Sequence, residues 1–343
     1  MNRSLSLITA VLLVLISASG CIVPPRELKP SVIPATELEL VSAMKRGQDY
    51  AQGGRPDLAE AQFRAVLQTR PDLLTVNNDL GYALLAQDRP KEAIASFQQT
   101  LNLSPSAITP RLNLGKALYR DGQYQEALKQ YAAALSWHEQ IANGEVSQAV
   151  LDASPETRKL SATDLAEVYR DMSIIYYKLG ELDNALSYSE KAVAGDASSS
   201  QIGNHVRLLL NTAHVDQAYR QARKFVAAAK DKAPPSLLLD YAVGAYLVGQ
   251  HGMSKEAFQR VLGAEQADTV DRDIARLGYL MITQGEKKQS DAAVLSQAFV
   301  EDNPDICGTD ILSSKTYFPD DFRGALTTLI MKLCEHGSDK SFF

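Results

Sequence analysis

The sequence lacks most of the features that mark a chemical site. It has one tryptophan, three cysteines and five histidines in 343 residues. The histidines form no H-E-x-x-H motif, and the chain has neither a Walker-type glycine loop nor a G-x-S-x-G elbow. Positive charge is not in surplus, because the net charge is −6. We therefore expect no enzyme activity, no metal, no cofactor and no nucleic acid partner.

The overall composition indicates a folded chain with more than one core. Apolar residues make up 45% and charged residues 22% of the sequence, which excludes wholesale disorder. At 343 residues the chain exceeds the usual size of a single core. We expect either several domains or a repeat array.

Residues 1–20 have the pattern of an export signal. Arg3 precedes an apolar run from Leu5 to Ile16, which is too short for a bilayer span of roughly twenty residues. Small residues then lead to Gly20 and Cys21. This ending resembles the lipobox of bacterial lipoproteins, in which the cysteine becomes the acylated N-terminus, although Ala18 stands where that family most often has leucine. The alternative is ordinary signal cleavage, which leaves Cys21 as a free thiol.

The residues after Cys21 predict where the protein is anchored. Lipoproteins with aspartate directly after the acylated cysteine tend to stay in the inner membrane, and this chain has Ile22. The resemblance therefore implies a lipid anchor in the outer membrane, on its periplasmic side. Residues 21–37 contain four prolines and no helical period, which predicts an extended tether.

A 34-residue period is the strongest signal in the chain. Three sets of residues share it: Gly47, Gly81 and Gly115; Ala59, Ala93 and Ala127; Phe63, Phe97 and Tyr131. Small residues at two of these positions predict that paired helices approach closely, and Pro71 and Pro105 are placed to end helices. The pattern resembles the tetratricopeptide repeat, whose unit is two antiparallel helices. The resemblance implies an all-α fold, a right-handed superhelical solenoid of such helix pairs with a C-terminal capping helix.

The same register divides the rest of the chain. Residues 38–137 form regular repeats 1–3, and residues 138–165 form an insertion that begins beside Trp137. Residues 166–304 form degenerate repeats 4–7, in which Ser173 replaces the glycine of repeat 4. Residues 305–343 form a cap, with a helix that begins near Asp320 and ends near Leu333. Trp137 is interpreted as burying the end of the second helix of repeat 3, with a partner-facing role as the alternative.

Two cysteines remain near the C-terminus if Cys21 is lipidated. Cys307 and Cys334 form an even pair in an exported protein, which makes a disulfide the expected pairing. The alternative is two buried thiols. A bridge between them would link the cap helix to the segment that precedes it.

The resemblance also implies a binding surface. Such stacks bind peptides or helices along a groove lined by the first helix of each repeat. The matching polar positions in this chain are Gln48, Asn78, Tyr82, Asn113, Lys116, Arg170 and Tyr177. Co-chaperones of the family grip a C-terminal carboxylate with Lys, Asn and Arg side chains, but this chain has Met44, Gln48, Asp79, Thr109 and Asn113 at those positions. Chaperone-tail binding is therefore not expected.

Together these features predict a protein that binds other proteins. A lipid-tethered repeat stack resembles lipoproteins of pilus assembly, including secretin pilotins and the Flp/Tad assembly lipoprotein, so a scaffold for a pilus or secretion complex is the first hypothesis. An adaptor for peptidoglycan or exopolysaccharide machinery is the second. An enzyme or small-ligand receptor with a site between repeats is the alternative from a different class.

Overall fold

A computed structural model describes residues 36–153, 157–285, 312–313 and 318–336. The regular elements of these residues are helices, which confirms the predicted all-α fold. None of the described helices is long and apolar enough to cross a membrane. Cys21, Cys307 and nearly all of the predicted tether lie outside the described residues.

The chain divides into two compact parts, residues up to Pro105 and residues from Ser106. The described N-terminal part holds repeats 1 and 2, whose helices are α1 (Glu37–Gln52), α2 (Pro56–Thr69), α3 (Leu74–Ala86) and α4 (Pro90–Leu103).

The C-terminal part holds the later repeats, the insertion and the cap. Its helices are α5 (Ile108–Arg120) and α6 (Tyr124–Ala142) in repeat 3, α7 (Gln148–Ala153) in the insertion, α8 (Ala162–Lys178) and α9 (Leu182–Gly195) in repeat 4, α10 (Ser199–Asn211) and α11 (Val215–Ala229) in repeat 5, α12 (Pro235–Leu247) and α13 (His251–Gly263) in repeat 6, α14 (Thr269–Gly285), and α15 (Asp320–His336) in the cap. The second helix predicted for repeat 7, near Phe299, lies outside the described residues.

Local sequence signals explain where several helices begin. Thr36 caps α1 through a reciprocal pair of hydrogen bonds with Glu39, and Ser161 caps α8 in the same way with Asp164. Pro56 is the first residue of α2, where its missing N–H costs nothing, and Pro90 has the same place in α4. These caps fix the start of helices whose apolar faces then pack together.

The turn between paired helices requires a left-handed residue. Gly54, Gly122, Gly180 and Gly249 occupy this turn with φ between 71° and 78°. Asp88 and Ala213 hold the equivalent place in repeats 2 and 5, with φ of 56° and 60°. This conformation is unfavourable by about 1–2 kcal/mol for a residue with a Cβ atom, which explains why glycine is the commonest residue at the turn.

The repeated glycines make room for aromatic rings. A Cβ atom on Gly47 would lie 2.4 Å from Cε1 of Phe63, and one on Gly81 would lie 2.4 Å from Cε1 of Phe97. In repeat 3 the corresponding distance from Gly115 to Tyr131 is 3.0 Å. Each ring belongs to the second helix of the same repeat and is buried. The 34-residue glycine period therefore reports ring packing inside each repeat, in addition to the close helix approach that the sequence suggests.

Repeats 4 and 6 lack the glycine and have a serine at the contact between their two helices. In repeat 4, Ser173 replaces the glycine and its hydroxyl donates to the carbonyl of Ala185 on the second helix, at 2.8 Å. Repeat 6 has the serine on the opposite helix, where Ser254 donates to the carbonyl of Ala242 at 2.7 Å. All four residues face the contact between the two helices of their repeat. Repeats 4 and 6 thus keep the close contact with a hydrogen bond across it.

The insertion returns to pack on α6. This helix runs to Ala142, beyond the predicted start of the insertion at residue 138, because its apolar side continues to contact buried Ile108 and Leu160. The amide of Leu160 donates to Nδ1 of His138 at 3.0 Å. Trp137 is half-buried in this cluster. Its described contacts agree with the interpretation that it covers the end of the second helix of repeat 3.

The cap helix completes the core of the C-terminal part. Phe322, Leu326, Leu329 and Leu333 lie buried along one side of α15, in one cluster with residues of α12 and α14. The rings of Phe322 and Phe258 stack with centroids 6.5 Å apart. The predicted capping helix is therefore confirmed. Cys334 is half-buried beside this core and forms a disulfide; its predicted partner Cys307 is outside the described residues, and this pairing stays a prediction.

Candidate functional site

Two adjoining cavities lie on the first helices of repeats 3, 4 and 5 and the second helix of repeat 4. One of about 240 Å³ is lined by Lys116, Tyr119, Arg120, Arg170, Asp171 and Ile174. The other, of about 150 Å³, is lined by Arg170, Ser173, Ile174, Tyr177, Ser189, Ala192, Gln201, Asn204, Arg207, Leu208 and Asn211. Because Arg170 and Ile174 line both, the cavities form one continuous surface. We call it the basic groove and define it by these lining residues.

The cations of the basic groove are held by acidic neighbours. Arg170 donates two hydrogen bonds to one oxygen of Asp171, the shorter at 2.8 Å. Lys116 lies 3.6 Å from Glu167. The other oxygen of Asp171 accepts a hydrogen bond from the hydroxyl of Tyr131 at 3.1 Å. Burial, followed by the charge of Asp171, raises the pKa of Tyr131, so this hydroxyl stays protonated and orients the carboxylate that holds Arg170.

Arg207 is anchored by a buried carboxylate on the next first helix. Its Nε donates to Asp240 at 3.0 Å, and the Asp240 side chain has no exposed surface. A charge-assisted bond of this kind fixes the guanidinium at the edge of the groove, where it keeps 31% of its exposure. The position of Arg207 is therefore set by folding rather than by an occupant.

This link recurs between successive first helices. Arg207 follows the position that is glycine in the regular repeats, and Asp240 lies two residues before that position in the next repeat. In the N-terminal part, Gln48 follows Gly47 and donates to Asp79 at 3.1 Å, two residues before Gly81. Burial raises the pKa of Asp79, and the Gln48 bond opposes that shift. The same pair of positions thus joins neighbouring repeats in both parts of the chain.

The floor of the groove combines apolar surface with buried polar groups. Ile174, Leu208 and Ala192 supply the apolar surface. Gln201 is buried, and its Oε1 has no hydrogen-bond partner among the described residues. Ser189 also lines the smaller cavity; its hydroxyl oxygen lies 2.5 Å from Nδ1 of His205, and both residues are buried. Burial lowers the pKa of His205, although the charge of Glu190 opposes the shift.

The structure brings three of the predicted groove residues together. Lys116, Arg170 and Tyr177 all line the basic groove. The hydroxyl of Tyr177 accepts a hydrogen bond from the amide of Asn211, which ties α8 to α10. In the N-terminal part, Gln48 and Tyr82 are exposed, and the Tyr82 ring meets the edge of Phe97. Whether any of the seven binds a partner stays a prediction.

Asn78 and Asn113, predicted at the groove, do not lie on the solvated surface that such a position implies. Asn78 keeps 7% and Asn113 2% of its exposure. Eight of the thirteen residues of α3 are buried, and α5 is buried along a similarly large part of its surface, so few positions on these helices reach solvent. A polar residue on such a helix is therefore not sufficient evidence for a groove position.

Sequence reasoning missed Arg120, Asn204, Arg207 and Asn211. Arg207 had a usable signal, because it follows the glycine-equivalent position of repeat 5, as Lys116 follows Gly115 in repeat 3. The degenerate sequence of repeat 5 hid that register. The juxtaposition of α8 and α10 around a cavity has no counterpart in the sequence pattern.

A third cavity, of about 450 Å³, lies beside α11 and α13. Its lining includes three cations, Arg223, Lys230 and Arg260, and two carboxylates, Asp231 and Glu256. The hydroxyl of Tyr219 donates to the sulfur of Met253 at 3.1 Å at its edge. Two of the five charged side chains in its lining are therefore carboxylates, against one of five in the lining of the basic groove.

These features define the class of the protein. Successive pairs of helices, with a link between first helices in each part, make this an all-helical repeat protein. The fold is of the tetratricopeptide-repeat type. Two family models described as Tetratricopeptide repeat match residues 44–108 and 84–150.

Solved structures support the fold. A tetratricopeptide repeat protein from Parabacteroides merdae is 15% identical, with a TM-score of 0.51, over 85% of this chain and 98% of that one. The C-terminal part of a repeat-containing protein from Cytophaga hutchinsonii is 13% identical, with a TM-score of 0.56, over 76% and 95%. Pseudomonas aeruginosa pilF is 15% identical over 83% of this chain and 96% of that one, but its TM-score of 0.42 is too low to support a structural comparison. No protein of curated function matches the sequence.

Proposed function

We propose that this protein is a scaffold that holds a partner protein by a peptide segment in the basic groove. The groove itself is the observation that carries the proposal: prepositioned cations surround an apolar floor on the first helices of three successive repeats. Proteins of this repeat family mediate protein–protein interactions. Anchoring to the outer membrane through a lipid on Cys21, with the repeats in the periplasm, is part of the same proposal and rests on the sequence.

The arrangement of the cavities suits an extended peptide. The two cavities, of about 240 Å³ and 150 Å³, share Arg170 and Ile174. Their cations lie on three first helices, α5, α8 and α10, so an occupant must extend across three repeats to meet all of them. A peptide segment can do so, which supports a binding role over the enzyme or small-ligand alternative.

Site-specific photocrosslinking in cells tests the proposal. A photoreactive amino acid at Ile174 lies between the two cavities, whereas one at Gln221 lies exposed on the second helix α11 and serves as the control. We expect a discrete crosslinked partner from position 174 and none from position 221. The proposal fails if both positions give the same products, because that pattern reports random collision.

The identity of the partner decides the pathway. Our first proposal is assembly of a pilus or secretion complex, as the sequence organisation implies, and it predicts pilus or secretin components in the product from position 174. The second is service to peptidoglycan or exopolysaccharide machinery, and it predicts synthases or hydrolases there. Mass spectrometry of the same crosslinked band distinguishes the two.

A further inference from the structure

We infer that the basic groove selects an acidic segment of its partner, with carboxylates at the arginines and an apolar side chain on the floor between them. This inference rests on the proposed scaffold function and names the chemistry of the occupant. The partner is a protein whose bound segment alternates acidic and apolar side chains.

The charge of the lining is one-sided. Four cationic side chains line the groove, those of Lys116, Arg120, Arg170 and Arg207, against the single carboxylate of Asp171. The smaller cavity has two arginines and no acidic residue in its lining. The carboxylates that hold Lys116 and Arg207, those of Glu167 and Asp240, are not among the lining residues. An approaching anion therefore meets guanidinium groups that are already fixed in place.

The floor adds a requirement beyond charge. Ile174 and Leu208 offer apolar surface next to the arginines, so a free inorganic anion would leave the floor without a contact. Buried Gln201 has an Oε1 atom with no partner among the described residues, and after a rotation of its amide the N–H of a peptide would satisfy it. A carboxylate, an apolar side chain and a backbone N–H occur together in a peptide.

The net charge of the chain disfavours nucleic acid, which is the other polyanion that a basic groove can attract. The net charge is −6, so the field around the protein repels a nucleic acid while four local cations attract a short acidic segment. Binding of an oligonucleotide in place of acidic peptides is an outcome that the experiment below would expose.

One substitution changes the charge of the groove without removing an arginine. Asn204→Asp puts a carboxylate 3.4 Å from Nη1 of Arg207, where the amide oxygen now accepts a weak hydrogen bond. It neutralises that guanidinium locally and repels an incoming carboxylate. Asn184→Asp makes the same charge change on the exposed side of the second helix α9 and is the matched control. Arg170→Gln inside the groove is paired with Arg223→Gln at the third cavity.

The probe is a random peptide library blocked at both ends and incubated with the full chain. A second library ends in a free carboxylate and contains no acidic side chains, which separates side-chain carboxylates from a chain terminus. A labelled oligonucleotide is the third probe. Circular dichroism and the melting temperature of each variant establish that the helices are intact.

We expect blocked peptides with alternating acidic and apolar residues to be enriched. Their affinity should fall about tenfold in Asn204→Asp, since one charge-assisted contact is lost, and should fall in Arg170→Gln as well. Asn184→Asp and Arg223→Gln should bind as the unmodified chain does. Enrichment of neutral or basic peptides, no enrichment, preference for the free terminus or oligonucleotide, or equal loss in both members of a pair would each overturn the inference. A partner that still crosslinks at position 174 in those cases leaves the scaffold function standing and removes only its acidic selectivity.

Discussion

The contact between Gly81 and Phe97 determines whether Gly81→Ala stabilises or destabilises the fold. A Cβ on Gly81 would lie 2.4 Å from Cε1 and 2.6 Å from Cζ of a fully buried ring, so Gly81→Ala must displace the ring or the helix. Overpacking of this kind costs about 1–3 kcal/mol. Against this cost, alanine in a helix interior stabilises the helix by about 1 kcal/mol relative to glycine. The net expectation is a loss of stability between about zero and 2 kcal/mol.

A matched glycine separates packing from helix propensity. Gly324 lies in α15 with no atom within 4 Å of a built Cβ, so Gly324→Ala should stabilise the protein by about 0.5–1 kcal/mol. In a Phe97→Leu background the cost of Gly81→Ala should shrink, with a coupling of about 0.5–3 kcal/mol. Urea unfolding followed by circular dichroism measures all four variants. Stabilisation by Gly81→Ala to the same extent as Gly324→Ala, with no coupling to Phe97→Leu, would refute the ring-packing account.

The remaining predictions concern a buried histidine, a buried ion pair and the proposed anchor. Because burial lowers the pKa of His205, the folded state binds fewer protons than the unfolded state below pH about 6.5. The free energy of unfolding should therefore be full above that pH and fall as the pH drops toward the folded pKa, by at most about 1.4 kcal/mol per pH unit. His205→Gln should reduce this pH dependence in urea titrations, and an unchanged pH dependence would contradict the role of His205. Arg207→Met leaves the buried Asp240 carboxylate without its guanidinium, so it should lower the stability of the fold by up to about 3–5 kcal/mol, and by less because Arg207 keeps 31% of its exposure. Adding Asp240→Leu should recover part of this stability, and a double variant no more stable than Arg207→Met would count against the ion pair. Cys21→Ser should release the protein from the outer-membrane fraction, because the acyl chains supply about 0.8 kcal/mol per buried CH₂; equal retention of the variant would end the lipoprotein proposal.

The regular repeats could be predicted because each constraint there acts at a fixed position. Glycine faces a ring in repeats 1–3, proline begins or follows helices, and glycine provides the positive φ of most turns. These requirements are local to one repeat, so they recur every 34 residues. The cap helix was predictable for the same reason, since Phe322, Leu326, Leu329 and Leu333 share one side of a single helix.

The candidate site could be predicted only in part, because it depends on contacts between repeats. Lys116 and Arg170 lie at recognisable positions on their first helices, but an insertion outside the 34-residue period separates these helices, so the period does not predict how close they lie. The burial of Asn113 depends on how completely neighbours surround α5, and the periodicity of a single helix does not contain that information. In repeat 4 the bond from Ser173 to the carbonyl of Ala185 takes the place of the glycine–ring contact. In repeat 6 the Phe258 ring packs against Gly278 of the following helix α14 instead, so both repeats depart from the consensus.

Hydrogen–deuterium exchange of the full chain, alone and with the crosslinked partner's bound segment, tests the central claim most directly. If the basic groove is the binding surface, protection on binding should appear in the first helices α5, α8 and α10, which carry Lys116, Arg170 and Arg207. The second helices α6 and α11, which contribute no lining residue to the groove, should exchange as they do in the free protein. Protection confined to α11 and α13 around the third cavity, or to helices α1–α4 of the N-terminal part, would contradict the account.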